Sequence, residues 1–159
     1  MALSYDFEMA TPTSLEQVAC ALLDVGRPLK LFEASITPEQ VSHDGAVTPR
    51  GMWVRTYERR PAPWSPLVTD FGITPTAAIG FSLYKHDRIT EQQDDLVRVV
   101  TGLLDRLAGD AVLSGMETIW LMRRDGELLL NERDDIWPER RLAALRQAYR
   151  RDTLAFAEQ

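Results

Sequence analysis

Residues 4–26, SYDFEMATPTSLEQVACALLDVG, decide how the fold begins. In residues 5–9 apolar side chains alternate with polar ones, which is the pattern of a strand with one buried face. Thr13 and Glu16 stand three residues apart, and this spacing predicts a capping box at the start of a helix. Apolar residues then recur at helical spacing until Gly26, which ends the helix. The segment therefore predicts a strand, a turn and a helix.

Further strand-like segments follow along the chain. Residues 51–57 and 79–84 alternate between apolar and polar side chains. Two more strand-like runs, 116–123 and 127–132, flank Asp125-Gly126, and this dipeptide is a strong signal for a β-hairpin. These segments predict a largely antiparallel sheet.

Two further helices are predicted in the second half of the chain. Thr90 and Gln93 have the spacing of a second capping box, and a wide apolar stripe follows until Gly109. Pro138 suits the first turn of a last helix. On that helix three apolar or aromatic side chains share one face: Leu142, Leu145 and Tyr149.

The order of these elements predicts an α+β fold. Short connections around an antiparallel sheet favour a two-layer sandwich in which the helices pack on one face of the sheet. The 159 residues are close to the size of one average domain, so we expect residues 1–159 to form a single domain.

Composition and charge narrow the classes of function. The single cysteine, Cys20, cannot form an intramolecular disulfide, and no apolar run approaches the roughly 20 residues that span a bilayer. The first ten residues carry two acidic residues and no basic one, unlike a secretory signal. The net charge of −6 disfavours binding to nucleic acid or to anionic membranes. We therefore expect a cytoplasmic protein with no role in either.

Motifs for catalysis are largely missing from the sequence. It has no phosphate-binding glycine loop, and one cysteine and two histidines are too few for a zinc site, so no cofactor is expected. The acidic residues Glu132, Asp134 and Asp135 are the best candidates for paired carboxylates or for a site that binds a hard metal ion. A solvated loop before a helix N-terminus explains them more simply. A metal-dependent enzyme using this loop remains an alternative to a protein without enzymatic activity.

The predicted last helix is rich in arginine and gives a second alternative. A nucleic-acid-binding helix has this composition, although a solvated face with salt bridges accounts for it more simply. The arginines of this segment are Arg140, Arg141, Arg146, Arg150 and Arg151.

An aromatic residue in a stiff loop is the clearest candidate for a binding residue. Three prolines fall within residues 61–66, so this segment cannot form a central strand. Trp64 lies in this loop after Arg59 and Arg60, and tryptophan and arginine are enriched at the energetic centres of protein interfaces. Either Trp64 contacts a partner, or it folds back as a lid over the sheet.

Several structural motifs resemble a known family. They are the opening Ser4-Tyr5-Asp6-Phe7-Glu8, then Asp70-Phe71-Gly72-Ile73, Gly109-Asp110-Ala111-Val112-Leu113, and Leu128-Leu129-Leu130-Asn131 before Trp137. The pattern resembles a family, common in actinobacteria, that is named after an immunity protein of the swarming-inhibition toxin (Sit) system of myxobacteria.

This resemblance implies a cytoplasmic protein that binds and neutralises a cognate toxin delivered by a neighbouring cell. It carries no catalytic motif and defines no binding residues. The expected partner is a protein toxin, and the candidate contacts are those taken from the residues themselves: Trp64, Arg59, Arg60, Glu132, Asp134 and Asp135.

Overall fold

Eight strands and five helices follow one another in residues 3–157, the part of the chain that the computed structural model describes. The strands are β1 Leu3–Ala10, β2 Ala46–Val47, β3 Trp53–Glu58, β4 Ala77–Leu83, β5 Asp110–Gly115, β6 Thr118–Arg124, β7 Glu127–Asn131 and β8 Arg150–Asp152. The helices are α1 Leu15–Gly26, α2 Pro38–His43, α3 Pro66–Phe71, α4 Ile89–Arg106 and α5 Glu139–Leu142.

All eight strands belong to one sheet, in the order β2-β3-β4-β1-β5-β6-β7-β8. Every neighbouring pair is antiparallel except β7 and β8, which run parallel. The predicted α+β class with a mainly antiparallel sheet is thereby confirmed. No helix within residues 3–157 combines the length and the apolar character that crossing a membrane requires.

The main core lies between one face of the sheet and the helices α1 and α4. Phe7 is at its centre, opposite Ile79 of β4 and Leu113 of β5, and all three side chains are buried. Leu22 of α1 and Leu103 of α4 are buried in the same cluster. Fully burying one such aliphatic or aromatic side chain stabilises a fold by about 1.5–3 kcal/mol, so this shared core holds α1 and α4 on the sheet.

The first helix begins one residue later than the sequence predicts. Its capping box is formed by Ser14 and Gln17, each of whose side chains bonds the backbone N–H of the other at 3.2 Å. The predicted Thr13–Glu16 box is wrong because the N–H of Thr13 donates to the hydroxyl of Thr11, which keeps Thr13 in the preceding turn.

The long helix α4 is confirmed, but its predicted capping box is wrong. The residue before its first turn is Arg88, which has a left-handed φ of 53° and makes no side-chain cap. Gln93 donates instead to the hydroxyl of Tyr5 at 3.0 Å. Gln92, which is fully buried, bonds the backbone N–H and carbonyl of Tyr84, so α4 is anchored by tertiary contacts at this end.

The hairpin predicted at Asp125-Gly126 is confirmed. Both residues have positive φ, 52° and 81°, as a two-residue hairpin turn with the twist of the flanking strands requires. The preceding strand-like run was predicted to start at Met116. Met116 and Glu117 form a second tight turn with positive φ, and β5, which was not predicted, comes before it.

The predicted last helix is wrong beyond its first turn. Helix α5 ends at Leu142, and residues 150–152 form strand β8 beside β7. The N–H of Glu132 donates to the carbonyl of Asp152 at 2.9 Å, and Leu154 is buried. Pairing with β7 and burial of Leu154 therefore override the helical spacing of the apolar residues.

A smaller apolar cluster lies on the opposite face of the sheet. Helix α3 and the segment after β8 cover β5, β6 and β7 there, and Phe71 meets Phe156 edge to face with ring centroids 5.8 Å apart. The buried members of this second cluster are Leu67, Ile73, Val112, Ile119, Met122 and Leu154.

Candidate functional site

The proline-rich loop presents its tryptophan to solvent. Trp64 is 78% exposed, the largest exposed fraction among the large apolar side chains of residues 3–157. The N–H of Ser65 donates to the carbonyl of Ala62 at 2.9 Å, which closes a turn around Trp64. Trp64 therefore does not act as a lid over the sheet.

The two arginines of this loop have different environments. Arg59 forms an ion pair with the buried carboxylate of Glu8 on β1, and its guanidinium lies 5.9 Å from the ring centre of Tyr57. Arg60 is largely exposed and lies 3.5 Å from the carboxylate of Glu58. Arg60 is thus accessible to a partner, whereas Arg59 anchors the start of the loop to the sheet.

A polar cluster lies beneath Arg59 on the sheet face opposite α1 and α4. Burial raises the pKa of Glu8, and the nearby charge of Arg59 opposes that effect without reversing it. The hydroxyl of Tyr57 donates to Asp6 at 2.6 Å, and burial followed by this bond raises the pKa of Tyr57. The alternation in β1 indicated a polar face, but it did not indicate that Glu8 would be buried.

The three predicted acidic residues do not form a shared site. Glu132 accepts a hydrogen bond from the hydroxyl of Thr153 at 2.8 Å. Asp134 lies 3.5 Å from Arg151, and Asp135 accepts two bonds from Arg133, at 3.1 and 2.8 Å. Residues 3–157 contain no group of three or more histidine, cysteine or acidic side chains placed to hold a metal ion. The geometry gives no support to the metal-dependent alternative.

The arginines near the C-terminus do not share one helix face. Arg141 is buried, bonds Asp94 at 2.8 Å, and lies 5.1 Å from the ring centre of Trp120. The remaining four are also paired with carboxylates: Arg140 with Asp94, Arg146 with Asp105, Arg150 with Glu127 and Asp152, and Arg151 with Asp134. This arrangement does not support a nucleic-acid-binding helix.

One groove brings the proline-rich loop close to the acidic loop. Its volume is about 700 Å³, and it lies beside Pro66, which follows Trp64 by two residues. Glu132 and Arg133 line it from the acidic loop. Its other lining residues are Glu117, Thr118, Asn131, Thr153, Leu154, Ala155, Phe156 and Ala157.

The groove is lined by apolar, hydroxyl and carboxylate side chains and by one arginine. No histidine or cysteine of the described residues lines it, so it offers no nucleophile with an adjacent imidazole base. Its lining presents apolar side chains together with the carboxylates of Glu117 and Glu132. Glu117 and the 153–157 segment were not predicted as site residues, because Glu117 is positioned by the β5–β6 turn and residues 153–157 by the pairing of β8 with β7.

Comparison with known proteins identifies the family. A family model described as SitI3-like matches residues 3–141, which is most of the chain. No curated protein matches the chain significantly, and no solved structure does so either. Because the match covers well over half of the sequence, the chain belongs to the SitI3-like family.

Proposed function

We propose that this chain is a non-enzymatic immunity protein that binds and neutralises a cognate protein toxin in the cytoplasm. The observation that carries the proposal is the match of residues 3–141 to the SitI3-like family. Such a protein acts by occupying a surface of the toxin, so its essential property is a stable and accessible binding face.

The exposed loop supports binding as the mode of action. Trp64 combines a large apolar surface with a backbone stiffened by prolines, so little conformational freedom is lost when a partner covers it. Aromatic residues of this kind often contribute most of the energy of an interface. We place Trp64 and Arg60 at the centre of the toxin-binding face.

Charge supports a basic partner. The net charge of −6 favours rapid association with a positively charged toxin. We assign Glu132, Asp134 and Asp135 to the same binding face: Glu132 lines the groove, whereas Asp134 and Asp135 follow it in the chain and are paired with Arg151 and Arg133. Arg59 contributes indirectly, because its ion pair with Glu8 holds the start of the Trp64 loop.

Co-expression with the toxin candidate encoded beside the gene tests this proposal. The wild-type chain is expected to restore growth to cells that produce the toxin and to form a stoichiometric complex with an inactivated toxin domain. Trp64→Ala is expected to weaken that complex by about 10–100-fold.

Tyr149→Ala supplies the matched control. Tyr149 is also an exposed aromatic residue, 43% exposed, but it lies beside the β6–β7 turn and outside the groove. Its complex is expected to match the wild type. Failure of the wild-type chain to protect cells or to bind any toxin encoded beside it would contradict the proposed function.

A further inference from the structure

The groove carries two carboxylates that its one lining arginine, Arg133, does not pair with. Arg133 is held by Asp135, and within residues 3–157 neither Glu117 nor Glu132 has an arginine or lysine partner. Glu132 accepts only the hydroxyl bond from Thr153. Two carboxylates are therefore available to a positively charged group that enters the groove.

Residues 154–157 form an apolar wall of the groove, and hydrogen bonds hold this wall in place. The side-chain amide of Asn131 donates to the carbonyls of Ile119 and Leu154, at 2.8 and 3.2 Å. The N–H of Ala157 donates to Asp70 at 3.0 Å. These bonds hold the 153–157 segment against β7 and α3, so the groove is formed before a partner arrives, which lowers the entropic cost of binding.

The wall formed by residues 153–157 lies outside the segment matched by the family model, which ends at residue 141. Trp64 stands two residues before Pro66, which lines the groove. A partner segment that runs from the groove past Pro66 would meet the exposed tryptophan as well as an apolar wall and two free carboxylates.

We infer that the groove between Pro66 and residues 153–157 receives a segment of the partner protein that carries a lysine or arginine beside an apolar side chain. The inference rests on the proposed function and specifies its binding site. The cationic group meets Glu117 and Glu132, and the apolar side chain packs against Phe156. Electrostatic attraction to two carboxylates makes the contact sensitive to salt.

Calorimetric titration of an inactivated toxin domain, encoded beside the gene, tests the inference. The double variant Glu117→Lys/Glu132→Lys is expected to bind at least about 100-fold more weakly than wild type, because attraction becomes repulsion. The control Glu33→Lys/Asp44→Lys changes the net charge equally at exposed positions outside the groove. It is expected to bind within about threefold of wild type, since general charge effects between distant exposed groups are screened.

A second, more conservative double variant tests binding with less risk of disturbing the fold. Glu117→Gln/Glu132→Gln removes both charges but keeps an oxygen that can accept the Thr153 bond, and it is expected to weaken binding by about 10-fold.

Equal affinities for the groove variants and the control would overturn the inference while leaving the proposed function intact. If the wild-type chain itself binds no toxin, both the proposed function and this inference fail. Spermidine is a small cation that could occupy the same groove. If spermidine displaces the toxin, and if its binding is lost in the same two groove variants, the occupant is a small cation and the assignment to a protein segment is overturned.

Discussion

Arg50 and Asp95 join the connection between β2 and β3 to the middle of α4. One guanidinium nitrogen of Arg50 lies 2.9 Å from each carboxylate oxygen of Asp95, and the Asp95 side chain is completely buried. Arg98, one turn along α4, contacts the same carboxylate. Removing one member of such a buried ion pair strongly destabilises a fold, because the remaining charges are left without compensation.

We therefore expect Asp95→Asn to lower the free energy of unfolding by about 2–4 kcal/mol. The change removes the charge that holds both arginines while it keeps the shape of the side chain. Urea denaturation of the variant and the wild type measures the difference. Asp94→Asn is less informative as a control because Asp94 binds Arg141, so the exposed Asp44→Asn is used. A loss below about 0.5 kcal/mol for Asp95→Asn would contradict this role.

Arg123 closes the C-terminal end of α4, and its removal is expected to destabilise the fold. Its guanidinium group donates to the carbonyls of Leu104 at 2.7 Å and Gly109 at 2.8 Å, and it also bonds the carbonyl of Leu107. Carbonyls at the end of a helix need such partners. We expect Arg123→Met to cost about 2–3 kcal/mol in thermal or urea denaturation. The exposed neighbour Arg124 is the matched control, and Arg124→Met should be nearly neutral.

The buried Glu8 gives stability a specific dependence on pH. Its pKa is raised from the ordinary value of 4.5, chiefly by burial, so the folded state holds the proton more tightly than the unfolded state. The resulting stabilisation is present below pH 4.5 and is lost as pH rises through the raised pKa.

Glu8→Gln is therefore expected to gain stability relative to wild type as pH is raised from about 4 to about 7. Denaturation of both proteins at several pH values measures this difference. Glu58→Gln, at an exposed position on β3, should show no comparable trend. A Glu8→Gln difference that stays constant or falls with pH would show that the ion pair with Arg59, rather than burial, dominates.

Elements defined by local chemistry could be predicted from the sequence. The turn at Asp125-Gly126 requires positive φ, which this dipeptide tolerates, and the apolar stripe of α4 is long enough to identify a helix. Helix starts were less predictable. Thr13 and Thr90 have suitable side chains and spacing, yet neither forms the predicted capping box. The N–H of Thr13 donates to the hydroxyl of Thr11, and the side chain of Gln93 donates to the hydroxyl of Tyr5.

The features that the sequence did not predict depend on the pairing of strands that lie far apart in the chain. Residues 150–152 have no alternation that identifies a strand, and β8 forms because β7 offers a free edge. The groove depends on the same pairing, since β8 directs residues 153–157 across the second apolar cluster. The sequence placed Trp64 in a stiff proline-rich loop but left open whether it folds back over the sheet, and its 78% exposure decides that question.

The C-terminal segment is expected to contribute to stability through Leu154. This side chain is 7% exposed and packs in the second apolar cluster with Met122 and Ile119. We expect Leu154→Ala to lower the free energy of unfolding by about 2–3 kcal/mol, because it removes buried methyl groups and leaves a cavity. Tyr149→Ala, in the same part of the chain but 43% exposed, should be nearly neutral. Equal stabilities for the two variants in urea denaturation would mean that residues 150–157 do not pack on the sheet, and the groove would then lose its second wall.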